Sequence, residues 1–375
     1  MTFKFEIVHQ SKKSRARVGR ITTPHGIIDT PNFVAVGTNG TLKAIDNVPV
    51  EEAGLQLMFC NTYHMMLQPG TEVVRKAGGL HNYIGRKGPI ITDSGGFQVF
   101  SLAYGGVANE LKSRGQKKTD GHVLKINEEG VLFRSYRCGK KVLLTAETSI
   151  DAQKDLGADI IIPFDELPPY HIDEKVLLDS FERTHRWEKR SLEHHLKNPN
   201  NQAMYSVVHG GINPDLRKKS CDFANDLPFD GFAIGGSLGK TKQELFQLLD
   251  YTPGHLDPKR PIHLLGIGDL ESIQYGVNSG IDTFDSSYPT RAARHGIVIT
   301  QQGPLDLRKK VNEDQFTPLD ITCSCSTCKK YTRAFLHHLF KASELTAQML
   351  ASIHNVTQMV TIMAKYRESI ASGDV

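Results

Sequence analysis

The sequence predicts an α/β protein built as a (β/α)8 barrel of the TIM type, with a zinc-binding helical subdomain attached to it. Three observations predict this architecture. The chain has 375 residues, which is more than most single hydrophobic cores hold, whereas a barrel needs about 250. Short apolar runs alternate with amphipathic helical stretches, and this indicates βα units around a parallel sheet. A crowded group of cysteines follows, with a spacing that suits a bound metal.

The first part of the chain, residues 5–10 and 16–37, predicts short strands and hairpins, because Pro and Gly stand at its turn positions. The regular alternation begins after it, with helices predicted at 174–196, 214–226, 242–250 and 270–280. Six or more such units in series favour a closed barrel over an open doubly wound sheet. The first strand is not followed by a G-x-G-x-x-G fingerprint, which also disfavours a dinucleotide fold.

One stretch, residues 103–125, does not fit the alternation. It is rich in Gly and Lys, and we predict a long mobile loop over the barrel mouth. Its basic cluster at 112–118 resembles two others at 217–219 and 308–310. Each cluster taken singly predicts solvated surface, although the net charge of +4 and the pI near 8.6 are compatible with a polyanionic partner.

From residue 302 onward the alternation stops, so we divide the chain into a barrel with N-terminal strands, 1–302, and a helical subdomain, 303–375. Long helices are predicted at 333–352 and at about 355–371. The motif C-S-C-S-T-C is too crowded for unstrained disulfides among its own cysteines, but suits thiolates that converge on one zinc ion. It consists of Cys323, Cys325 and Cys328. Three histidines compete to be the fourth ligand: His337, His338 and His354.

Composition predicts a cytoplasmic protein. No apolar run approaches the roughly 20 residues of a membrane span, and the basic N-terminal segment lacks the apolar core of a secretory signal. The remaining cysteines sit in unrelated segments and are typical of free thiols in a reducing compartment. They are Cys60, Cys138 and Cys221.

Polar residues or glycines end each strand-like run, and in a (β/α)8 barrel these ends meet at one mouth. They are Asp93, Asp165, His209, Gly235, Gly236, Gly266, Gly268 and Asp285. A lone aspartate of this kind is more often a turn residue or a helix N-cap. Three aspartates at one mouth, without a helix-cap pattern and without metal ligands beside them, instead predict carboxylate chemistry.

Several long motifs in order resemble the bacterial-type tRNA-guanine transglycosylases. They are TDSGGFQVFSL (92–102), FDE (164–166), GG (235–236), GIG (266–268), FDSSYPTRAARHG (284–296) and C-x-C-x2-C followed by a helical histidine. The resemblance runs from about residue 24 to residue 354. It implies a homodimeric enzyme that exchanges guanine at the wobble position of G-U-N anticodons for a 7-deazaguanine, namely 7-aminomethyl-7-deazaguanine or queuine.

The resemblance also implies roles for individual residues. Asp285 is the nucleophile on C1′ of the ribose, and Asp93 is the general acid and base. Asp165 accepts hydrogen bonds from the base, and Gly236 donates one to it. Phe97 stacks on the flipped base, although an aromatic residue there also fits a core position. The base pocket as a whole comprises Asp93, Ser94, Gly95, Gly96, Phe97, Asp165, His209, Gly235 and Gly236.

The implied tRNA contacts form two segments. The first opens a helix, whose N-terminus suits a phosphate, and it comprises Gly266, Ile267, Gly268, Asp269, Leu270, Glu271 and Ser272. The second follows the nucleophile and comprises Thr290, Arg291, Ala292, Ala293 and Arg294; an arginine pair there also fits a plain surface ion pair. Among the histidines the resemblance selects His354 as the fourth ligand of a structural zinc.

The chain departs from the family pattern in the base pocket, so the preferred incoming base stays open. Leu167 replaces a Cys, His209 replaces a Gln, and GGSLG (235–239) is one residue shorter than GG-x3-G, with Ser237 replacing an aliphatic residue. Rival classes are a non-catalytic tRNA-binding accessory subunit, the archaeal-type enzyme and a metabolic barrel enzyme. Both catalytic aspartates disfavour the first, the 375 residues leave no room for the extra RNA-binding domains of the second, and the cysteine motif is unexplained by the third.

Overall fold

The computed structural model describes residues 3–104, 123–168 and 173–375. The strands are β1 (Lys4–Gln10), β2 (Arg17–Thr23), β3 (Gly26–Thr30), β4 (Asn32–Val36), β5 (Leu57–Cys60), β6 (Ile90–Thr92), β7 (Val123–Ile126), β8 (Gly130–Arg134), β9 (Lys141–Thr145), β10 (Ile160–Ile161), β11 (Ala203–Val208), β12 (Gly231–Ile234), β13 (Ile262–Leu264), β14 (Thr283–Ser286), β15 (Ile297–Thr300) and β16 (Gly303–Asp306).

The helices lie between and after the strands along the chain. They are α1 (Asn47–Glu52), α2 (Thr62–Leu67), α3 (Thr71–Lys76), α4 (Leu80–Ile84), α5 (Gly96–Tyr104), α6 (Ala146–Leu156), α7 (Glu174–Leu196), α8 (Pro214–Asp226), α9 (Lys242–Tyr251), α10 (Leu270–Asn278), α11 (Tyr288–Arg294), α12 (Ser326–Lys330), α13 (Arg333–Lys341) and α14 (Leu345–Ser372). Short 3-10 turns stand at Thr252–His255 and Lys310–Asn312.

Eight parallel strands close into a barrel in the order β4, β5, β6, β10, β11, β12, β13, β14, and β14 pairs with β4. The predicted (β/α)8 fold is therefore confirmed. Successive side chains of a strand point to opposite faces, so alternate residues such as Val34, Phe59 and Val207 fill the interior. Ile21 and Ile28 belong to the same interior cluster, so the antiparallel hairpin of β2 and β3 covers the N-terminal end of the barrel.

The first barrel strand is β4, Asn32–Val36, which we had grouped with the N-terminal hairpins. That grouping is wrong for a physical reason: β4 is buried along most of its length, because it lies between β14 and β5. The helices predicted at 174–196 and 214–226 are confirmed as α7 and α8. α8 begins where Asn213 accepts hydrogen bonds from two backbone N–H groups and Pro214 takes the first helical position.

An antiparallel three-stranded sheet of β7, β8 and β9 lies between β6 and β10 in the chain. Its inner face, with Val131, Phe133 and Leu144, packs against Tyr63 and Trp187 beside the barrel. Of the loop predicted over the mouth at 103–125, residues 105–122 lie outside the described residues, and its described ends belong to α5 and β7. A mobile loop over the mouth stays a prediction.

The C-terminal helices differ from the prediction of a break after residue 352. α13 ends at Lys341 and α14 runs unbroken through 28 residues. The chain reverses at Ser343, which has a φ of 58°, and this reversal packs Leu336 of α13 against Ala347 and Leu350 of α14. α14 also contacts α11, β15 and β4 of the barrel. The division of the chain at residue 302 stays a prediction; the hairpin of β15 and β16 spans that position.

Candidate active site and metal centre

Asp93 stands directly after β6, at the C-terminal mouth of the barrel. Its Oδ2 accepts hydrogen bonds from Asn61 Nδ2 (2.6 Å) and Gln98 Nε2 (2.8 Å), and its Oδ1 accepts one from the backbone N–H of Thr62 (2.7 Å). Burial raises the pKa of Asp93, although these hydrogen bonds oppose the effect. A fixed carboxyl with a raised pKa is suited to take up and release a proton.

Asp285 lies in β14, with β4 and β5 between it and β6. Its Oδ1 accepts hydrogen bonds from the backbone N–H of Gly266 (2.8 Å) and from His263 Nε2 (3.1 Å). His263 is fully buried and accepts the Thr283 hydroxyl at Nδ1 (2.8 Å), which fixes its ring. No described residue donates to Asp285 Oδ2, so this oxygen is available to a ligand while the carboxylate is held through Oδ1.

Asp165 stands after β10, next to the segment that carries Asp93. Its Oδ1 accepts a hydrogen bond from the Ser94 hydroxyl (2.8 Å). Burial raises the pKa of Asp165 to about 6, and the negative charge of Asp93 adds to the effect. A Cβ on Gly96 would lie only 2.6 Å from the backbone oxygen of Asp165, so the TDSGG segment can approach this carboxyl only with glycine there.

Phe97 follows this glycine and is 43% exposed. The alternative that it is a core aromatic is therefore wrong. It lies at the first turn of α5, after the strand end that carries Asp93, where its ring is accessible to a flat ligand.

His209, Gly235 and Gly236 come from the ends of β11 and β12. His209 is buried, and its Nε2 lies 3.4 Å from Asp165 Oδ2. Its other ring nitrogen, Nδ1, lies beside Gly236, where a Cβ would be 3.1 Å away. Burial lowers the pKa of His209 well below its ordinary value, and the charge of Arg217 lowers it further, so this imidazole is neutral near pH 7.

Arg217 holds the backbone of this pocket together. Its guanidinium donates to the backbone oxygens of Val208 (2.6 Å), Gly211 (2.8 Å) and Ser237 (3.0 Å). The basic cluster at 217–219 was predicted as solvated surface, and for Arg217 this is wrong because the side chain is 1% exposed. Three carbonyl acceptors replace the water that a buried guanidinium loses.

A cavity of about 210 Å3 opens beside these residues. His209, Gly236 and Ser237 line one side of it, and the opposite side is formed by α7 with Leu177, Ser180, Phe181 and Thr184. Leu167 is not among its lining residues; it packs instead against the cluster around Tyr63 and Trp187. Of the departures from the family pattern, Ser237 and His209 therefore face this cavity.

The two segments expected to contact tRNA have different exposure. Gly266 donates its backbone N–H to Asp285 and so belongs to the surroundings of that carboxyl. Gly268 packs closely on β14, because a Cβ there would lie 2.2 Å from the Cβ of Ser286. Asp269 caps α10 by accepting from the Ser272 N–H (3.2 Å), and Lys242 bridges Asp269 and Glu271. Ser272 is buried, Ile267 and Leu270 are partly buried, and Glu271 is exposed.

In the second segment the buried residues are Thr290, Ala292 and Ala293, so only the two arginines reach the surface. Arg291 is exposed and Arg294 is partly buried. Arg294 Nη1 is buried without a hydrogen-bond partner among the described residues. Burial and the charge of Arg291 lower the pKa of Arg294. Two adjacent cations, one with an unpaired N–H group, are suited to an anionic ligand.

Cys323, Cys325, Cys328 and His354 bring four ligand atoms within 4.8 Å of one another. His354 Nδ1 lies 3.2 Å from Cys328 Sγ and 3.7 Å from Cys325 Sγ. His354 Nε2 donates to the Ile299 backbone oxygen (2.7 Å), and this bond leaves Nδ1 as the free lone pair. Hydrogen bonds from the neighbouring thiols lower the pKa of the Cys325 thiol. The cluster could therefore hold a metal ion.

The other two candidate histidines do not join this cluster. His337 is buried and bonds the Leu307 backbone oxygen through Nδ1 (2.7 Å), which makes it a helix-packing residue. His338 is exposed on α13. His354 reaches the cysteines because α14 is continuous and carries it along the β15 hairpin.

Five residues of the site were not predicted from the sequence. Asn61 ends β5 and would follow from the same strand-end rule that gave Asp93. Gln98 is part of a motif that was recognised, but its side chain was assigned no role. For His263, Arg217 and the buried Glu188 on α7 the sequence offers no signal, because a helix or strand position does not reveal what the side chain will face.

Within the described part of the chain, every helix is too short or too polar to traverse a lipid bilayer.

Comparison with known proteins agrees with the site. The family described as queuine tRNA-ribosyltransferase matches residues 11–375. The chain is 69% identical to the queuine tRNA-ribosyltransferase of Protochlamydia amoebophila, over 98% of this chain and 95% of that protein. It is 55% identical to the protein of that name from Chlamydia caviae and 56% identical to that from Chlamydia trachomatis, in each case over the full length of both chains. The chain belongs to the queuine tRNA-ribosyltransferase family and is a pentosyltransferase.

Proposed function

We propose that this protein is a tRNA-guanine transglycosylase that exchanges guanine at the wobble position of G-U-N anticodons for a 7-deazaguanine. The observation that carries the proposal is the pair of carboxyls at the barrel mouth. Asp93 is buried with a raised pKa, and Asp285 is anchored through one oxygen with the other available. Base exchange with retention needs such a pair, one carboxylate to attack the anomeric carbon and one carboxyl to move a proton.

The reaction runs as a double displacement. Asp285 Oδ2 attacks C1′ of the ribose, the C1′–N bond to guanine breaks, and the Asp93 carboxyl gives its proton to the departing base. In the second half the Asp93 carboxylate takes a proton from the incoming base, whose nitrogen attacks C1′ and releases Asp285. Three hydrogen bonds hold the Asp93 side chain in one position. The same carboxyl group can therefore give a proton to the departing base and take one from the incoming base.

The base is recognised by residues beside Asp93. Asp165 accepts hydrogen bonds from the N1 and N2 edge, Gly236 and His209 lie where O6 is received, and Phe97 stacks on the ring. Ser94, Gly95, Gly96 and Gly235 form the backbone of the pocket. The fixed Ser94 to Asp165 hydrogen bond supports this assignment, because it orients the carboxylate before the base arrives.

The tRNA is held by the 266–272 and 290–294 segments. Arg291 and Arg294 are the cations there, and the N-terminus of α10 faces the same strand ends. The presence of both aspartates supports an enzyme over the alternative of a non-catalytic accessory subunit. We also propose that the enzyme is cytoplasmic and acts as a homodimer. Exposed apolar side chains of the C-terminal part support a partner surface, namely Val311, Phe316, Ile321 and Leu345.

We propose that the ion at the Cys3His cluster is a structural Zn2+, one per chain. Three thiolates and one imidazole are the donors of closed zinc sites, and Cys323, Cys325, Cys328 and His354 would hold it. Bound zinc would link the cysteine segment to α14 and stabilise the subdomain, 303–375, against the barrel. The ion would take no part in the base exchange.

Replacing one ligand tests the metal assignment. Cys325→Ser should remove the one zinc per chain, lower the melting temperature and weaken tRNA binding, because the subdomain loses its cross-link. Metal content by mass spectrometry and thermal unfolding measure both effects. Cys221→Ser is the matched control, a buried free cysteine outside the cluster. Unchanged zinc content in Cys325→Ser would contradict the assignment.

Exchange of labelled guanine tests the function itself. An unmodified tRNA with a G-U-N anticodon should release labelled guanine when unlabelled guanine is added, and a tRNA with another base at that position should not. No exchange with the wild-type protein under conditions that preserve its fold would overturn the proposal.

The same assay decides the incoming base. We propose that queuine is accepted beside or instead of 7-aminomethyl-7-deazaguanine, because the short 235–239 turn and Ser237 leave room for a bulky 7-substituent next to the cavity. One hydrogen bond gained or lost there is worth about 1 kcal/mol, and this corresponds to several-fold to tenfold discrimination in kcat/KM. Displacement by the aminomethyl base with no displacement by queuine would show that the pocket is not widened.

A further inference from the structure

Behind the base pocket lies a carboxyl that the proposed mechanism does not use. Glu188 of α7 is fully buried. Its Oε2 accepts hydrogen bonds from the Ser206 hydroxyl (2.6 Å) and from the backbone N–H of Val207 (3.2 Å), both on β11. Its other oxygen, Oε1, has no hydrogen-bond partner among the described residues. A buried polar atom without a partner is costly, so what it faces matters.

Glu188 Oε1 faces His209. His209 Nε2 lies 3.9 Å from it, and this nitrogen is likewise buried without a hydrogen-bond partner in the described part of the chain. Asp165 Oδ2 lies 3.4 Å from the same nitrogen on the side of the base pocket. The three ionisable side chains therefore form a row from the base pocket into the protein interior, with His209 in the middle.

We propose that Glu188 is a positioning residue for base recognition: its protonation state sets which ring nitrogen of His209 carries hydrogen toward the bound base. The inference rests on the proposed function, since it assigns His209 to the base pocket. It adds Glu188, a residue outside the base pocket, to the residues that determine how the pocket binds the base.

His209 has two neutral tautomers, and the charge of Glu188 selects between them. When Glu188 is a carboxylic acid, its Oε1–H is directed at His209 Nε2, 3.9 Å away, and the ring hydrogen sits on Nδ1 beside Gly236. There it can donate to the keto oxygen of a guanine-like base. When the Glu188 proton is lost, the ring hydrogen moves to Nε2, which then donates to the carboxylate. Nδ1 becomes an acceptor and meets the keto oxygen with a lone pair, so the base binds less well.

The surroundings favour the acid form of Glu188. Burial raises the pKa of Glu188 well above its ordinary value, and the negative charge of Asp165 adds to this. The cation facing His209 is Arg217, and His185 also lies near it. Glu166, beside Asp165, is paired with Arg183 (2.6 Å). None of these groups donates to Glu188 Oε1, so His209 is the partner that the geometry leaves for it.

Three variants test whether Glu188 acts through its proton or only fills space in the core. Glu188→Gln can place its amide NH2 where the Oε1–H stands, so it mimics the acid form at every pH. Glu188→Met removes the donor and keeps an extended side chain. Asp230→Asn is the control, since Asp230 is also a largely buried carboxyl with a raised pKa, but bonds the Met204 N–H (2.8 Å) before β12 at the other end of the barrel.

The measurement is the pH dependence of kcat and of KM for guanine in guanine–guanine exchange. In the wild type, KM should rise with pH through one ionisation that is absent from Glu188→Gln. Glu188→Met should raise KM roughly tenfold, the ratio for one lost hydrogen bond, with kcat within about twofold. In a His209→Gln background, Glu188→Gln should have no further effect. The Asp230→Asn variant should retain the wild-type pH profile.

Nitrogen NMR of the histidine rings gives a second test that does not depend on activity. His209, assigned by comparison with His209→Gln, should carry its hydrogen on Nδ1 at low pH and shift it to Nε2 as pH rises, whereas in Glu188→Gln it should stay on Nδ1. A wild-type pH profile and an unchanged ring state in Glu188→Gln would overturn the inference. Absence of any exchange by the wild type would overturn the proposed function instead, and the NMR result would still decide the role of Glu188.

Discussion

Two strands of the barrel have an aspartate at or near each end. The aspartates at the N-terminal end of the barrel and those at its C-terminal mouth have different hydrogen-bond partners. On β10, Asp159 precedes the strand and Asp165 follows it. On β14, Asp282 precedes the strand and Asp285 stands near its C-terminal end. All four aspartates lie in or beside the barrel. Within each pair the strand and the residue type are the same, and only the neighbouring side chains differ.

At the N-terminal end the carboxylates meet cations and donors. Arg17 donates to both oxygens of Asp282, at 3.0 and 2.5 Å, and the Ile262 N–H adds a third bond (2.7 Å). Asp159 lies against His25 (2.8 Å) and His81 (3.2 Å). Burial alone raises the pKa of Asp159, but hydrogen bonds from these partners outweigh it, and the pKa ends below its ordinary value.

At the mouth Asp93 and Asp165 lie close to each other, and no lysine or arginine among the described residues pairs with either of them. Burial and the charge of Asp93 raise the pKa of Asp165 to about 6, and Asp285 keeps one oxygen free of protein donors in the described residues. The carboxylates are fully hydrogen-bonded at the N-terminal end and incompletely hydrogen-bonded at the C-terminal mouth. This difference agrees with the general location of active sites at the C-terminal face of such barrels. The paired carboxylates at the N-terminal end stabilise the fold, and under the proposed function the incomplete pairing at the mouth leaves carboxyl oxygens for the reaction.

The largest expected effect is on catalysis at the mouth. Asp285→Asn should lower base exchange by at least about a thousandfold, because the nucleophile is lost, and should leave the free energy of unfolding within about 1 kcal/mol of the wild type. Exchange rates and denaturing gels that detect a covalent tRNA adduct measure the first effect, and urea unfolding measures the second. A tRNA adduct that persists in Asp285→Asn would contradict the assignment.

Asp282 lies three residues before Asp285, directly ahead of β14, and Asp282→Asn should have the reverse effects. It leaves the Arg17 guanidinium buried without its counter-charge, which costs about 3–5 kcal/mol of unfolding free energy. Exchange per folded molecule should stay close to wild type, because Asp282 is at the opposite end. Urea unfolding together with active-site titration checks both statements. A loss of less than about 1 kcal/mol would break the comparison between the two ends.

The smallest expected effect is on the pH dependence of the free energy of unfolding. It has opposite signs for Asp165 and Asp159, which lie at the two ends of β10. The folded pKa of Asp165, about 6, exceeds its ordinary value of 3.8. The folded protein therefore binds more protons there between about pH 4 and 6, and its stability falls as pH rises through this window. Asp165→Asn should remove this penalty and raise the free energy of unfolding at pH 7.5 by about 1–3 kcal/mol, with little change at pH 4.

Asp159 serves as the matched position. Its folded pKa is depressed, so its contribution to stability is present above the unfolded pKa and is lost as pH falls through the folded pKa. Asp159→Asn should therefore destabilise the protein at pH 7.5 and have a smaller effect in acid. Unfolding curves for both variants between pH 4 and 8 measure this, and two variants that respond with the same sign would show that the ends do not differ.

Part of the site could be predicted because local rules apply to it. Asp93, Asp165 and Asp285 each follow or end an apolar run, and parallel strands bring such positions to one mouth wherever the helices lie. The Cys3His cluster followed from spacing for its cysteines, while His354 came only from the family resemblance. The specific roles of these residues in base exchange stay predictions that the experiments above can decide.

Other predictions were wrong where a long-range contact decides. Arg217 lies in a basic run typical of surface, but three carbonyls of neighbouring loops bring it inside. The break in the C-terminal helices was placed after residue 352, whereas the left-handed Ser343 and the packing of α13 on α14 place it ten residues earlier. Neither difference has a local sign such as a proline or a glycine.

The sequence by itself determined the barrel, the order of its strands and helices, and the residues that end the strands, because the periodicity of apolar residues and the chemistry of turns are local properties. The tertiary structure alone decided which oxygens of the carboxyls are bonded, that His263 fixes Asp285, and that Glu188 faces His209. These contacts join residues far apart in the chain across the barrel, and burial sets their protonation. Burial is a property of the assembled fold and not of any segment of the sequence.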